Sequence, residues 1–171
     1  MDGIRLAAIG EPAPACSSGP AVLDHVLASR LERAGLPIRW GIGAGRDDPS
    51  AEARAALALR RAREDGHAIG FATGDPWRDA LLADLGVALG ALLDDLTARQ
   101  AEIASLILVD GARQVVVTVS LGVSRATVSV AVARGRLHAS AGVRHAIEEL
   151  LAGPPPAGSR RVPARASPSG A

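Results

Sequence analysis

The chain has 171 residues, a formal net charge of +1 and a single cysteine, Cys16. One cysteine excludes an internal disulfide framework of the kind that stabilises small secreted domains, and the length suffices for a buried core. No segment has the length of a membrane span and the first residues lack the profile of a secretion signal, so we expect a cytoplasmic protein.

The first part of the chain alternates short strands and helices. Short or alternating apolar runs predict three strands, and apolar residues at helical spacing predict two helices between them. The strands cover residues 4–9, 38–42 and 67–73, and the helices cover residues 21–34 and 51–64. Residues 11–20 are predicted as a loop because proline, glycine and serine dominate there, and Ser50 is predicted to cap the second helix.

Three glycines alternate along the end of the second predicted strand and the residues after it, at Gly41, Gly43 and Gly45. A phosphate cradle would need the full dinucleotide fingerprint or a P-loop lysine, and the chain has neither, so we predict a tight turn. Asp47 and Asp48 are predicted to lie in a solvated turn, since no third metal ligand is near in sequence. We find no zinc-ligand spacing and no catalytic constellation, and therefore predict no metal, no cofactor and no enzyme activity.

The second part is predicted to be entirely helical. Asp75 caps a long helix that starts at Pro76, Thr97 caps a helix over residues 98–109, and a last helix covers residues 141–151. The predicted fold class is α+β, with a small truncated α/β part followed by an all-α helix-turn-helix domain. The predicted domains are residues 1–75, residues 76–152 with the linking helix, and a disordered tail rich in proline and arginine at residues 153–171.

Residues 114–133 carry the pattern of a helix-turn-helix. Gly122 suits the positive φ at the end of a first helix, and Ser124 suits the N-cap of a second. Five apolar residues are predicted to face inward between the two helices: Val117, Leu121, Val123, Val128 and Ala131. The spacing of Gln114, Gly122 and Val128 and the block SLGVSRATVS resemble the bacterial helix-turn-helix families, among them sigma-factor region 4 and LuxR-type domains.

A helix-turn-helix places its second helix in the major groove of double-stranded DNA. Arg125 can pair with guanine, and the arginines that follow the helix suit phosphate. Residues 1–96 carry 10 arginines and 14 acidic residues, whereas residues 97–152 carry 6 and 4, so the second part is the more basic. The predicted DNA-binding residues are Gln114, Ser124, Arg125, Ala126, Thr127, Ser129, Val130, Arg134 and Arg136.

The first helix of the motif is unusual. Residues 115–119 are all β-branched, which lowers helix propensity, and Val116 and Val119 stand where such helices usually carry charge. Thr118 stands where the two helices touch and must fit a hydroxyl there. These valines predict either a surface for a protein partner or a motif that has degenerated.

A second resemblance covers roughly residues 36–138. The residues that carry it are the string IRWGIGAG at residues 38–45, then Ala58, Arg60, Ala62 and Arg63, and a TxRQ sequence at Thr97, Arg99 and Gln100. Together they resemble the SatD family, and the resemblance implies an α+β domain joined to a C-terminal helix-turn-helix. Little sequence precedes residue 38, so we expect a truncated sheet whose role is dimerisation or partner binding.

The function predicted from these patterns is sequence-specific DNA binding by a homodimeric transcriptional regulator. The alternative is a non-enzymatic protein-interaction module with a degenerate helix-turn-helix, in which Val116 and Val119 contact the partner. A third hypothesis, an enzyme derived from a nucleotide-binding α+β domain, is disfavoured because the expected carboxylate and lysine groups are missing.

Overall fold

A computed structural model describes residues 4–11, 16–18, 21–33 and 38–152, and over these residues the protein is mixed α+β. The four strands are β1 (Arg5–Glu11), β2 (Cys16–Ser18), β3 (Arg39–Gly45) and β4 (Ile69–Ala72). The helices are α1 (Val22–Glu32), α2 (Asp48–Glu64), α3 (Pro76–Asp94), α4 (Ala98–Ala104), α5 (Gln114–Leu121), α6 (Arg125–Arg134) and α7 (Leu137–Ala152). A π-helical turn, Ser105–Val109, continues α4.

The sheet has the strand order β2-β1-β3-β4. Strand β1 is antiparallel to both neighbours, and β3 and β4 are parallel and connected through α2. The side chains of Trp40 and Ile42 lie on one face of the sheet, where they join a buried cluster with residues of α1 and α3. The same cluster continues into α4–α7, for example through Ile103 and Ile147. Helices α1 and α3 therefore form a layer between the sheet and the C-terminal helices.

The helix and strand predictions are confirmed with shifted ends, and one loop prediction is wrong. Residues 16–18, placed in the predicted loop 11–20, form β2, which pairs with β1 in antiparallel register. A three-residue strand held by backbone pairing at a sheet edge needs no apolar alternation, so the composition gave no indication of it. The last helix starts at Leu137, four residues before the predicted start at residue 141. The tail that was predicted to be disordered, residues 153–171, lies outside the described residues.

The predicted tight turn at Gly41, Gly43 and Gly45 is also wrong, because all three glycines lie inside β3. They face α2, which approaches the sheet so closely that side chains have no room. A Cβ at Gly41 would lie 2.2 Å from the carbonyl oxygen of Ala55, and one at Gly43 would lie 2.1 Å from that of Ala51. The glycines are therefore required by the contact between helix and sheet rather than by a turn.

Helix α2 starts three residues earlier than predicted. Its N-cap is Asp47, whose Oδ1 accepts a hydrogen bond from the backbone N–H of Ser50 at 2.8 Å. Ser50, the predicted cap, instead completes the capping box from within the first turn. The hydrogen bonds from Ser50 lower the pKa of the Asp47 carboxyl, because they stabilise its charged form.

Among the described residues, no single helix is both long and apolar enough to cross a membrane. Helices α5 and α6 pass that test of length and composition only when they are taken together, and they are bent by 116° at the break between them.

Candidate nucleic-acid interface

Helices α5 and α6 meet at 116° across a connection of three residues. This lies within the range of about 90–120° that two helices joined by a short turn adopt in a helix-turn-helix. Gly122 ends α5 with φ 61° and ψ 33°, the left-handed conformation predicted for it. Ser124 then caps α6, with its Oγ accepting the N–H of Thr127 at 3.1 Å. Both local predictions are confirmed.

The inward side of the pair matches the predicted apolar set. Val117 and Val128 are fully buried and Ala131 is nearly so. Leu121 and Val123 are partly buried and pack against the same cluster. This packing stabilises α5 although its residues have low helix propensity.

Two further hydrogen bonds hold the pair in place. The Thr118 hydroxyl donates to the backbone carbonyl of Val115 at 2.6 Å, so its polar group is satisfied within α5 itself. The guanidinium of Arg99, at the start of α4, donates to the carbonyl oxygen of Leu121 at 3.2 Å. That carbonyl lies at the end of α5, where no further helical turn supplies a donor. Arg99 therefore ties the turn between α5 and α6 to the helix beneath it.

The outward side of α6 is a continuous exposed face. Among the described residues of α6, only Val128, Ala131 and Val132 are buried. Gln114 is half-buried at the first position of α5, and Arg136 lies just beyond α6 with φ 50°. Arg136 and the remaining predicted DNA-binding residues are all exposed. These remaining residues are Ser124, Arg125, Ala126, Thr127, Ser129, Val130 and Arg134.

The charge around this face is of one sign. Residues 111–147 contain five arginines and no acidic residue. Arg144 is paired with Asp24 at 2.7 Å and with Glu148 at 2.8 Å. The other four arginines are exposed, and within the described part of the chain none of them forms an ion pair. They are Arg113, Arg125, Arg134 and Arg136.

Arg113 was not among the predicted site residues. It occupies the N-cap position of α5 without a side-chain cap, so the first backbone N–H groups of that helix have no side-chain acceptor at the cap. Exposed N–H groups at a helix start, together with an arginine, are a common contact for a phosphate. The absence of acidic residues over residues 111–147 could have indicated Arg113 from the sequence.

The exposed valines form a second feature of α5. Val115, Val116 and Val119 are 60%, 50% and 80% exposed. Val115 and Val119 are one helical turn apart and opposite the buried Val117, so they point away from the core. Together with the exposed Val116 they form what we call the apolar ridge of α5.

No family model matches the chain, and no significant match was found among curated proteins or solved structures. Over residues 4–11, 16–18, 21–33 and 38–152, no three His, Cys, Asp or Glu side chains lie close enough together to hold a metal ion.

Proposed function

We propose that the chain is a sequence-specific double-stranded DNA-binding protein that regulates transcription, with α6 as the helix that enters the major groove. The observation that carries this proposal is the exposed, acid-free face of α6, held at 116° to α5. A helix that reads DNA must project from the protein surface and must not repel phosphate, and α6 meets both conditions.

The roles of the residues follow from their positions. Arg125 is the first residue of α6 and reads a base edge, with guanine as the best partner for its two parallel donors. Ala126 and Val130 offer methyl groups to thymine, and Ser129 reaches a base or a phosphate. The Ser124 and Thr127 hydroxyls lie 2.9 Å apart, so they act together as cap and phosphate contact.

Phosphate contacts flank the reading helix on both sides. Arg134 and Arg136 lie at its far end and neutralise backbone phosphates there. Gln114 and the first N–H groups of α5 approach the backbone from the other side, since the first helix of the motif crosses it. These contacts position α6 in the groove and make affinity depend on salt, without selecting a sequence.

The proposed assembly is a homodimer that reads two half-sites. Dimeric helix-turn-helix proteins with two-fold symmetry place their reading helices about 34–36 Å apart, which is one turn of the double helix. The sheet with α1 and α2 is the proposed dimerisation or partner-binding part. Light scattering on the purified chain tests the dimer, and two half-sites in the selected DNA would support it independently.

The experiment that tests DNA binding starts from a randomised duplex library. The full chain is used to select duplexes, and the enriched duplex and a scrambled one of equal composition are compared by fluorescence anisotropy from about 50 to 200 mM salt. We expect an enriched sequence whose binding weakens steeply with salt. Failure to enrich any sequence, with no salt-dependent binding, would reject the proposal.

Replacement of Arg125 by alanine tests the reading contact itself. If Arg125 pairs with a base, the variant loses about 1–3 kcal/mol on the selected duplex, or about 5- to 150-fold in affinity. The matched control is Arg60→Ala, which removes another exposed arginine from α2 and leaves α6 intact. Equal affinity of Arg125→Ala, Arg60→Ala and the natural chain would remove Arg125 from the reading face.

The apolar ridge of α5 favours a second candidate function, a protein-interaction module that does not touch DNA. Val115, Val116 and Val119 expose large apolar side chains on one helix, and apolar surface of this kind is used for partner contacts. Association through these valines is insensitive to salt, whereas DNA binding is not. The variant pair Val116→Ser and Val119→Ser would weaken partner binding and leave binding to the selected duplex unchanged.

A further inference from the structure

A cleft of about 480 Å³ lies where β3 and β4 end. The two strands are parallel neighbours, so their carboxyl ends meet at one edge of the sheet, and each runs into the start of a helix, α2 after β3 and α3 after β4. Open sheets of parallel strands bind ligands at this edge. The lining residues include Arg46, Asp47, Arg54, Gly74, Asp75 and Arg78.

Arg78 is the residue that singles out this cleft. It is only 6% exposed, and its buried Nε has no hydrogen-bond partner. It also forms no ion pair with any of the described residues. A buried guanidinium nitrogen without an acceptor or counter-charge is unfavourable, because burial has removed water from it and no protein group replaces that water. An anion in the cleft would supply the missing partner.

Arg54 links the two loops that form the cleft. It extends from α2, and its guanidinium donates to the carbonyl oxygen of Ala44 at the end of β3. The same group lies against the loop after β4, where a Cβ at Gly74 would be 2.8 Å from its Nη2. Gly74 has φ +86°, a backbone conformation that disfavours any side chain at this position. A second arginine is thereby fixed beside Arg78, and Arg46 lies exposed at the rim.

The acidic side chains of the cleft are committed to backbone groups. Asp47 accepts the N–H of Ser50, and Asp75 accepts the N–H of Trp77 at 3.0 Å and that of Arg78 at 3.4 Å. With three arginines against these two carboxylates, the cleft retains one unit of positive charge. The starts of α2 and α3, helices of 17 and 19 residues, add the positive ends of their dipoles.

We propose that this cleft binds a small molecule through a phosphoryl group. Arg78 and Arg54 contact the phosphoryl oxygens, and Arg46 closes the rim over them. Guanidinium groups match the geometry of phosphate oxygens with two parallel hydrogen bonds each. The cleft is open and much larger than a phosphate ion, so it leaves room beside the phosphoryl group for the organic part of a phosphomonoester.

The test uses the full chain without DNA, so its outcome does not depend on the proposed DNA binding. Glycerol 3-phosphate and inorganic phosphate are titrated by calorimetry at constant ionic strength, with sodium chloride as the blank. We expect saturable binding of both, with the phosphomonoester binding more tightly. No heat beyond the chloride blank for either compound would overturn the proposal.

Two variants locate the binding. Arg46→Gln changes an exposed rim residue and therefore preserves the fold, and Arg78→Met removes the buried charge while keeping an apolar stem. Loss of a charge-assisted contact weakens binding by about tenfold or more. Arg60→Gln, on the exposed side of α2 and outside the cleft, is the matched control and keeps full affinity. Phosphate binding that is equal in Arg46→Gln, Arg60→Gln and the natural chain would assign it to another surface and reject the cleft.

Discussion

Gly43→Ala tests the contact between α2 and the sheet most directly. The new Cβ would lie 2.1 Å from the carbonyl oxygen of Ala51 and 2.3 Å from the backbone nitrogen of Ala55, whereas real Cβ contacts stay above 3.0 Å. Both atoms belong to the backbone of α2, so no side chain can rotate away. The helix must instead move off β3 by roughly 1 Å, which forfeits a quarter to a half of each dispersion contact it makes there.

The change in the free energy of unfolding caused by Gly43→Ala follows from two opposing effects. Inserting a methyl group into a close-packed contact costs about 1–3 kcal/mol, and rigid backbone on both sides favours the upper end. Alanine in a strand gains back about 0.5–1 kcal/mol over glycine. We expect Gly43→Ala to lower the free energy of unfolding by about 2 kcal/mol, or the Tm by about 4–8 °C for a chain of this size.

The control is the same substitution at Gly142, in α7, where a Cβ would meet nothing within 4 Å. Alanine is the better helix former there, so Gly142→Ala should raise stability by up to about 1 kcal/mol. Urea unfolding followed by circular dichroism measures both variants. If Gly43→Ala were as stable as the natural chain, Gly43 would not lie beneath α2, and the turn predicted from the sequence would return as the better account.

The remaining predictions concern single polar contacts. Ser124→Ala should lower the unfolding free energy by about 1 kcal/mol through loss of the α6 cap, whereas Ser120→Ala, at an exposed position in α5, should not. Arg30→Met should cost about 1–3 kcal/mol, because the carbonyl of Ile38, bonded to Arg30 at 2.9 Å, loses its buried donor. Asp47 has a folded pKa below its ordinary value of 3.8, so its contribution is complete above that pH and disappears as the pH falls through the folded pKa. The Tm difference between the natural chain and Asp47→Asn should therefore shrink in acid, and a constant difference down to pH 2 would contradict the assignment.

Most features that depend on neighbouring residues could be predicted from the sequence, although the cap of α2 is Asp47 and not Ser50. The caps at Asp75, Thr97 and Ser124 form as expected, each with its side chain accepting N–H groups of the first turn. Gly122 adopts the expected left-handed conformation. These predictions succeed because a cap or a glycine turn involves residues at most four apart, so the sequence contains both partners of the contact.

Features that depend on distant partners could not be predicted. Gly43 and Gly45 follow an alternating run, which is typical of a strand end, and only the position of α2 shows why the strand continues through them. Strand β2 is held by pairing with β1 and not by its own pattern. The buried Arg78 resembles any helical surface arginine until β3, β4 and two helix starts are brought together around it. In each case the contact that determines the structure joins residues that are far apart in the sequence, so no local sequence pattern indicates it.

Helix α5 shows how local sequence preferences and contacts with distant residues combine at the candidate site. Its run of β-branched residues opposes helix formation, yet a helix forms because Val117 is buried and Gly122 and Arg99 fix its end. The same burial dictates that Val115 and Val119, on the opposite side, point into solvent. The face of α6 and the ridge of α5 belong to different helices, so DNA binding and a partner contact are compatible uses of the pair. The salt dependence of binding is therefore to be measured separately for Arg125→Ala, with the selected duplex, and for the valine variants, with a protein partner. Loss of one contact need not remove the other.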